Sequence, residues 1–198
     1  MASPLGAIRN ESASLARVTG VVKAGQTVVA GLVYIDGANG IKNAPTDGSK
    51  LAKDLFWCPK NVGSATETKD KKVTIYDLDG LMVIGKSDGI IPLGGEVKAS
   101  TTSAHGGQFI TNPEPTSAFT AADGSTVDGT YGAEEAAVLA NNVTRIAELV
   151  AREAAIRAWV KDTVGHYIGH EDEILEGKTP TASADEDEDC VFILRRGK

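Results

Sequence analysis

Residues 18–36 read Val-Thr-Gly-Val-Val-Lys-Ala-Gly-Gln-Thr-Val-Val-Ala-Gly-Leu-Val-Tyr-Ile-Asp, and no other stretch limits the folding of this chain so tightly. Gly20, Gly25 and Gly31 cut a β-branched run into pieces, and Gly37 and Gly40 follow closely. Glycine and valine both disfavour a helix. Short β-branched runs between turn residues instead describe strands joined by tight turns. The layout returns at 81–98, where Leu81-Met-Val-Ile-Gly85 leads to Ile90-Ile-Pro-Leu-Gly-Gly-Glu-Val97.

Strand signals at Val18–Val22, Val28–Ile35, Leu55–Trp57, Val73–Tyr76, Leu81–Ile84, Ile90–Leu93 and Phe109–Ile110 recur at short spacing. Four Asp-Gly steps, ending at Gly37, Gly48, Gly80 and Gly89, punctuate them, and such steps favour hairpins. With no helical spacers between strands, an antiparallel arrangement is expected rather than a βαβ sheet. The expected fold is mainly β: a small antiparallel β-barrel or sandwich with a long C-terminal α-helix, α+β overall. The segments are an N-terminal arm (1–15), the β-barrel or sandwich domain (16–110), a linker (111–131), an amphipathic oligomerisation helix (132–165) and an acidic tail with a terminal strand (166–198). Residues 61–72 read as an exposed loop, and Asp79-Gly80 as the turn of a hairpin between Val73–Tyr76 and Leu81–Ile84.

The helix is signalled by Ala and Glu enrichment from Ala133 to Val164, with no internal Gly or Pro. Glu134 and Glu135 fall in its first turn, where the helix dipole favours acids. Leu139, Val143, Ile146, Leu149, Ile156 and Val160 recur mostly at three- and four-residue steps, with Asn142 beside them. Such a stripe covers the chain's own β domain or associates with copies of itself; the six residues are expected to form a self-association seam, as in a homotrimer.

Composition excludes several classes. Of the net charge of −7, residues 171–189 carry −8, nine acids against Lys178, so the rest is close to neutral. No basic stripe marks a nucleic-acid binder. Residues 1–10 lack a basic-then-apolar signal layout and no apolar run approaches spanning length, so no membrane association is expected, and the cytoplasm is the expected place of synthesis. Cys58 and Cys190 form no Cys-x-x-Cys motif; two reduced thiols are expected, a disulfide between them being the alternative.

No constellation for catalysis emerges. Asp77-Leu-Asp79-Gly80 resembles the first motif of haloacid-dehalogenase-like phosphatases, with Asp77 as nucleophile and Asp79 as acid/base, but the parallel sheet and later motifs of that family are missing. Gly80-Leu-Met-Val-Ile-Gly-Lys-Ser87 matches a phosphate-loop pattern formally, yet its middle is an apolar strand and Pro92 soon follows. His166 and His170, followed by Glu171, Asp172 and Glu173, could seat a metal on a helix, but Gly165 and Gly169 oppose one. The expectation is a non-enzyme with no catalytic, cofactor-binding or metal residues and no cofactor.

Two groups of segments resemble virion proteins. Val22-Lys-Ala-Gly-Gln-Thr-Val-Val-Ala-Gly-Leu-Val-Tyr-Ile-Asp36, with Ile84-Gly-Lys-Ser-Asp-Gly89 and Gly95-Glu-Val97, resembles the small β-barrel proteins that decorate or cement tailed-virus capsids. Asp128-Gly-Thr-Tyr-Gly-Ala-Glu-Glu-Ala-Ala-Val-Leu-Ala140, continuing into Arg145-Ile-Ala-Glu-Leu149, is similar to the lead-in to an oligomerising helix in virion structural proteins. The resemblance implies a bacteriophage capsid decoration protein on the virion exterior, binding across neighbouring major capsid protein subunits and itself. The helix is an addition to the simplest decoration barrels, so a trimeric tail, head-fibre or turret adaptor is the alternative, and a phosphatase using Asp77 and Asp79 a distant one.

Overall fold

The computed structural model describes residues 5–9, 16–115, 131–180, 183–185 and 188–195, apart from the side chains of 131–141, 144, 145, 148 and 175. The chain forms two compact units: Met1–Pro113 with Lys161–Lys198, and Glu114–Val160. The first is mainly β. Its strands are β1 (Arg17–Val22), β2 (Thr27–Val28), β3 (Gly31–Ile35), β4 (Ile41–Asn43), β5 (Leu55–Cys58), β6 (Val62–Gly63), β7 (Lys71–Tyr76), β8 (Met82–Lys86), β9 (Glu96–Ala99), β10 (Phe109–Thr111), β11 (Gly165–His170) and β12 (Asp189–Leu194). A long helix, α1 (Tyr131–Asp162), precedes β11, and a short one, α2 (Glu171–Leu175), follows it.

Two antiparallel five-stranded sheets make the β unit, in the orders β1-β7-β5-β3-β4 and β10-β9-β11-β12-β8; β2 and β6 pair separately. Each sheet curls. A bridge between Val22 and Gly40 joins the ends of the first, and one between Ser87 and Phe109 joins the outer strands of the second. The curl explains why the central strands are apolar without alternation. Along β3, Leu32 enters the larger core with Leu55, Trp57, Phe109, Tyr167 and Phe192, whereas its neighbour Val33 enters a smaller core with Val22, Ile41, Val73 and Ile75. A strand buried on both faces needs an unbroken apolar run, which Gly31-Leu-Val-Tyr-Ile35 supplies. The mainly β expectation with one long helix therefore matches the fold.

Several local expectations differ. The expected hairpin about Asp79-Gly80 does not form: β7 lies in one sheet and β8 in the other. β8 is taken by stronger partners. β12 pairs along it from Asp189–Lys86 to Ile193–Met82, and Gly6, Ala7 and Arg9 of the expected arm hydrogen-bond its other edge through Ile84 and Met82. The turn at Asp79-Gly80 thus carries the chain between sheets, with Gly80 donating to the Leu194 carbonyl. Ile90–Leu93 is not a strand; Ile91 alone bridges to Ala184, because Pro92 has no N–H to donate and a turn closes at Gly95.

The largest departure is 166–198. Expected as an acidic tail with a terminal strand, it supplies that strand as β12 and, beyond the expectation, β11, both interior strands of the second sheet. Its acidic part is stitched down as well: Ala184 exchanges both backbone hydrogen bonds with Ile91, and the Ser87 N–H donates to the Glu188 carbonyl. Of the expected linker, residues 116–130 lie outside the described residues. Asn112 Nδ2 donates to Thr163 Oγ1 at 2.9 Å, with both side chains buried, so the chain leaves the β unit and re-enters it at adjacent points.

Candidate functional site

The six residues expected to form a seam all lie on helix α1. Ala-rich and uninterrupted for 32 residues, it is about 48 Å long at 1.5 Å per residue. Val143, Ile146, Leu149 and Val150 are 51–61% exposed within two turns, a density of large apolar surface that a lone helix leaves to water. Ile156 and Val160 are half-buried, and the side chain of Leu139 lies outside the described residues. Arg157 pairs with Glu153 one turn back, an exposed i,i+4 ion pair that supports the helix. Of the six expected seam residues, Val143, Ile146 and Leu149 thus share one exposed apolar stretch.

The other candidates take structural roles. Asp77 Oδ1 accepts the Asp79 N–H at 3.2 Å, closing the turn between the sheets, and Asp79 points to solvent. Met82–Lys86 of the phosphate-loop pattern is β8 itself, its backbone spent on β12, so no cradle of free N–H groups exists there. Ser87 Oγ donates to the Asp185 carbonyl. His166 faces Ile193 across β11 and β12, away from the helical geometry that would pair it with His170.

Two polar groups escape the sequence reading. Asp88, buried, accepts from the Ser100 hydroxyl on Oδ2 and meets His105 Nδ1 at 2.6 Å on Oδ1. Burial pushes the Asp88 carboxyl up, but the Ser100 and Thr102 hydroxyls and His105 outweigh it and hold the carboxyl below its ordinary value. Aspartate stands between serine and histidine here, so histidine does not activate the hydroxyl and the trio is no nucleophilic triad. The second group is His170, Glu188 and Cys190. Burial, with Glu188 and Asp189 nearby, pushes the Cys190 thiol up to about 12. Cys58 is also a free thiol, held in the smaller core with its Sγ on the Lys60 carbonyl, so the two cysteines do not pair. In the sequence His170 stands beside acids, whereas His105 lies in a Ser/Thr/Gly loop with no acid near it, and the partners of both come from distant segments.

A shallow groove of about 270 Å³ lined by Tyr34, Ile35, Lys50, Lys53, Asp54 and Phe56 is open to solvent. Among the described residues, no helix is long and apolar enough to cross a membrane.

No protein-family model matches the chain, and no curated protein matches it. Among solved structures, the head fiber gp8.5 N base in bacteriophage phi29 is similar over 92% of this chain and 98% of that chain, at 13% identity and a TM-score of 0.42. A likeness of that strength carries no argument about function.

Proposed function

We propose that this protein is a non-enzymatic structural subunit of a virion that assembles with itself through α1. The observation that carries the reading is the exposed run Val143, Ile146, Leu149 and Val150 on a long, uninterrupted helix. Leu139, Ile146 and Val160 share one heptad position, and Asn142, Leu149 and Ile156 fall three residues after Leu139, Ile146 and Glu153. That spacing is an a/d seam. Isoleucine at both kinds of position, Ile146 and Ile156, moves coiled coils beyond two strands, which favours a trimer. Asn142 and Glu153 are the polar interruptions that would fix register at some cost in stability.

The virion assignment is supported by the resemblance of 22–36, 84–89, 95–97 and 128–149 to virion proteins. Within it, a head-fibre or turret adaptor fits better than a cement subunit, since the associating element is a long helix inserted into the β unit rather than the β unit itself. The cement reading, with the β unit bridging major capsid subunits on the exterior, is the second form. Replacing Ile146 and Leu149 together by Lys should convert a trimer to a monomer while β circular dichroism is retained; a variant that stays trimeric rules the seam out. Incubation with undecorated phage heads then separates the two forms: a cement subunit raises their heat resistance, whereas a fibre adaptor binds without doing so.

A further inference from the structure

The end of β11 and the start of β12 bring His170, Glu188 and Cys190 together, with one ligand atom from each lying within 4.8 Å of the others. The positions are fixed by the sheet: His170 and Cys190 are register partners across the β11–β12 ladder. His170 Nε2 lies 3.3 Å from the Ser183 carbonyl, an acceptor only, so the ring proton belongs on Nε2. That leaves the Nδ1 lone pair facing Glu188 Oε2, 3.6 Å away. Glu188 Oε2 is itself oriented by the Asp185 N–H at 2.7 Å. A histidine aligned by a carbonyl behind it and a carboxylate aligned by a backbone donor are the outer supports that metal ligands use.

We propose that His170 Nδ1, Glu188 and the Cys190 thiolate bind a divalent transition-metal ion of the zinc class, with water in the fourth position. Sulfur and imidazole select zinc or cobalt over magnesium or calcium, which prefer all-oxygen sites. Ligand bonds of about 2.0–2.3 Å require the three side chains to close by about 1 Å. The Cys190 thiol gives its proton to solvent as the metal–sulfur bond forms, and the dication reverses the local negative charge that otherwise opposes the thiolate. Glu188 is partly exposed and provides the way in. The ion would clamp Glu188, and through it Asp185, to the edge where β11 meets β12, whether or not the chain belongs to a virion.

Cobalt(II) titration of the full chain, freed of metal and reduced, tests this. One equivalent should bind with a thiolate-to-cobalt charge-transfer band in the near ultraviolet, and zinc should displace it and raise the melting temperature. Cys58→Ser should leave the band intact. Cys190→Ser should abolish it; because Cys190 is buried and that variant can unfold, His170→Ala and Glu188→Gln, at less buried positions, serve beside it, each weakening cobalt binding at least about tenfold. Absence of the band in the folded parent chain, or unchanged binding in His170→Ala, would overturn the site.

Discussion

Gly85 sits where Phe109 stacks between Trp57 and Phe192, at ring-centre distances of 5.7 and 4.2 Å. A Cβ on Gly85 would overlap the Phe109 ring and approach Trp57 within 3.2 Å, so the glycine is required by space. Gly85→Ala should cost about 1–3 kcal/mol in chemical denaturation by forcing that aromatic stack apart. Asp88 acts at the same scale by charge. Its carboxyl titrates lower folded than unfolded, so it contributes stability above the unfolded value of about 3.9 and loses it as pH falls through the lower folded value. Asp88→Asn should therefore be less stable than the parent by about 1–3 kcal/mol near neutral pH, with the gap narrowing in acid. A constant gap across the acid limb, measured by urea unfolding, would contradict the ion's role.

At the scale of elements, α1 behaves as an insertion. The buried Asn112–Thr163 bond and the Val164 N–H to Val97 carbonyl bond close the β unit across the point where the helix is inserted. Replacing 114–160 by a short Gly/Ser linker should leave a folded β unit with cooperative melting; loss of β circular dichroism would show that the helix is needed for the fold. The helix was legible because Ala and Glu run unbroken from 133, and β1, β5, β7 and β12 because their apolar residues are β-branched or aromatic. β11 was not legible: its buried positions are Gly165, Tyr167 and Gly169, and glycine gives no hydrophobic signal. Gly165 is small because a side chain there would strike the Ile193 carbonyl. The Asp79-Gly80 hairpin misled for a different reason. Turn chemistry is local, whereas the segments that claim β8, residues 6–9 and β12, are far from it in sequence. His170 follows the same rule: its sequence neighbour His166 was visible, and its spatial partners Glu188 and Cys190 were not.

For the whole molecule, the acidic C-terminal region is part of the scaffold. It contributes central strands, and Glu171 is held against Arg9 from the N-terminal segment, so both ends of the chain finish the second sheet. A β unit completed by residues 6–9 and by β11 and β12, with a separate long helix exposing apolar residues, would divide stability from the proposed association. That division is the physical content of the proposed structural role. Multi-angle light scattering on the purified full chain, followed through serial dilution, tests it most directly. The account predicts a discrete species of three times the 20.6 kDa chain mass that falls apart only on dilution. A monomer that persists at the highest concentration would contradict it.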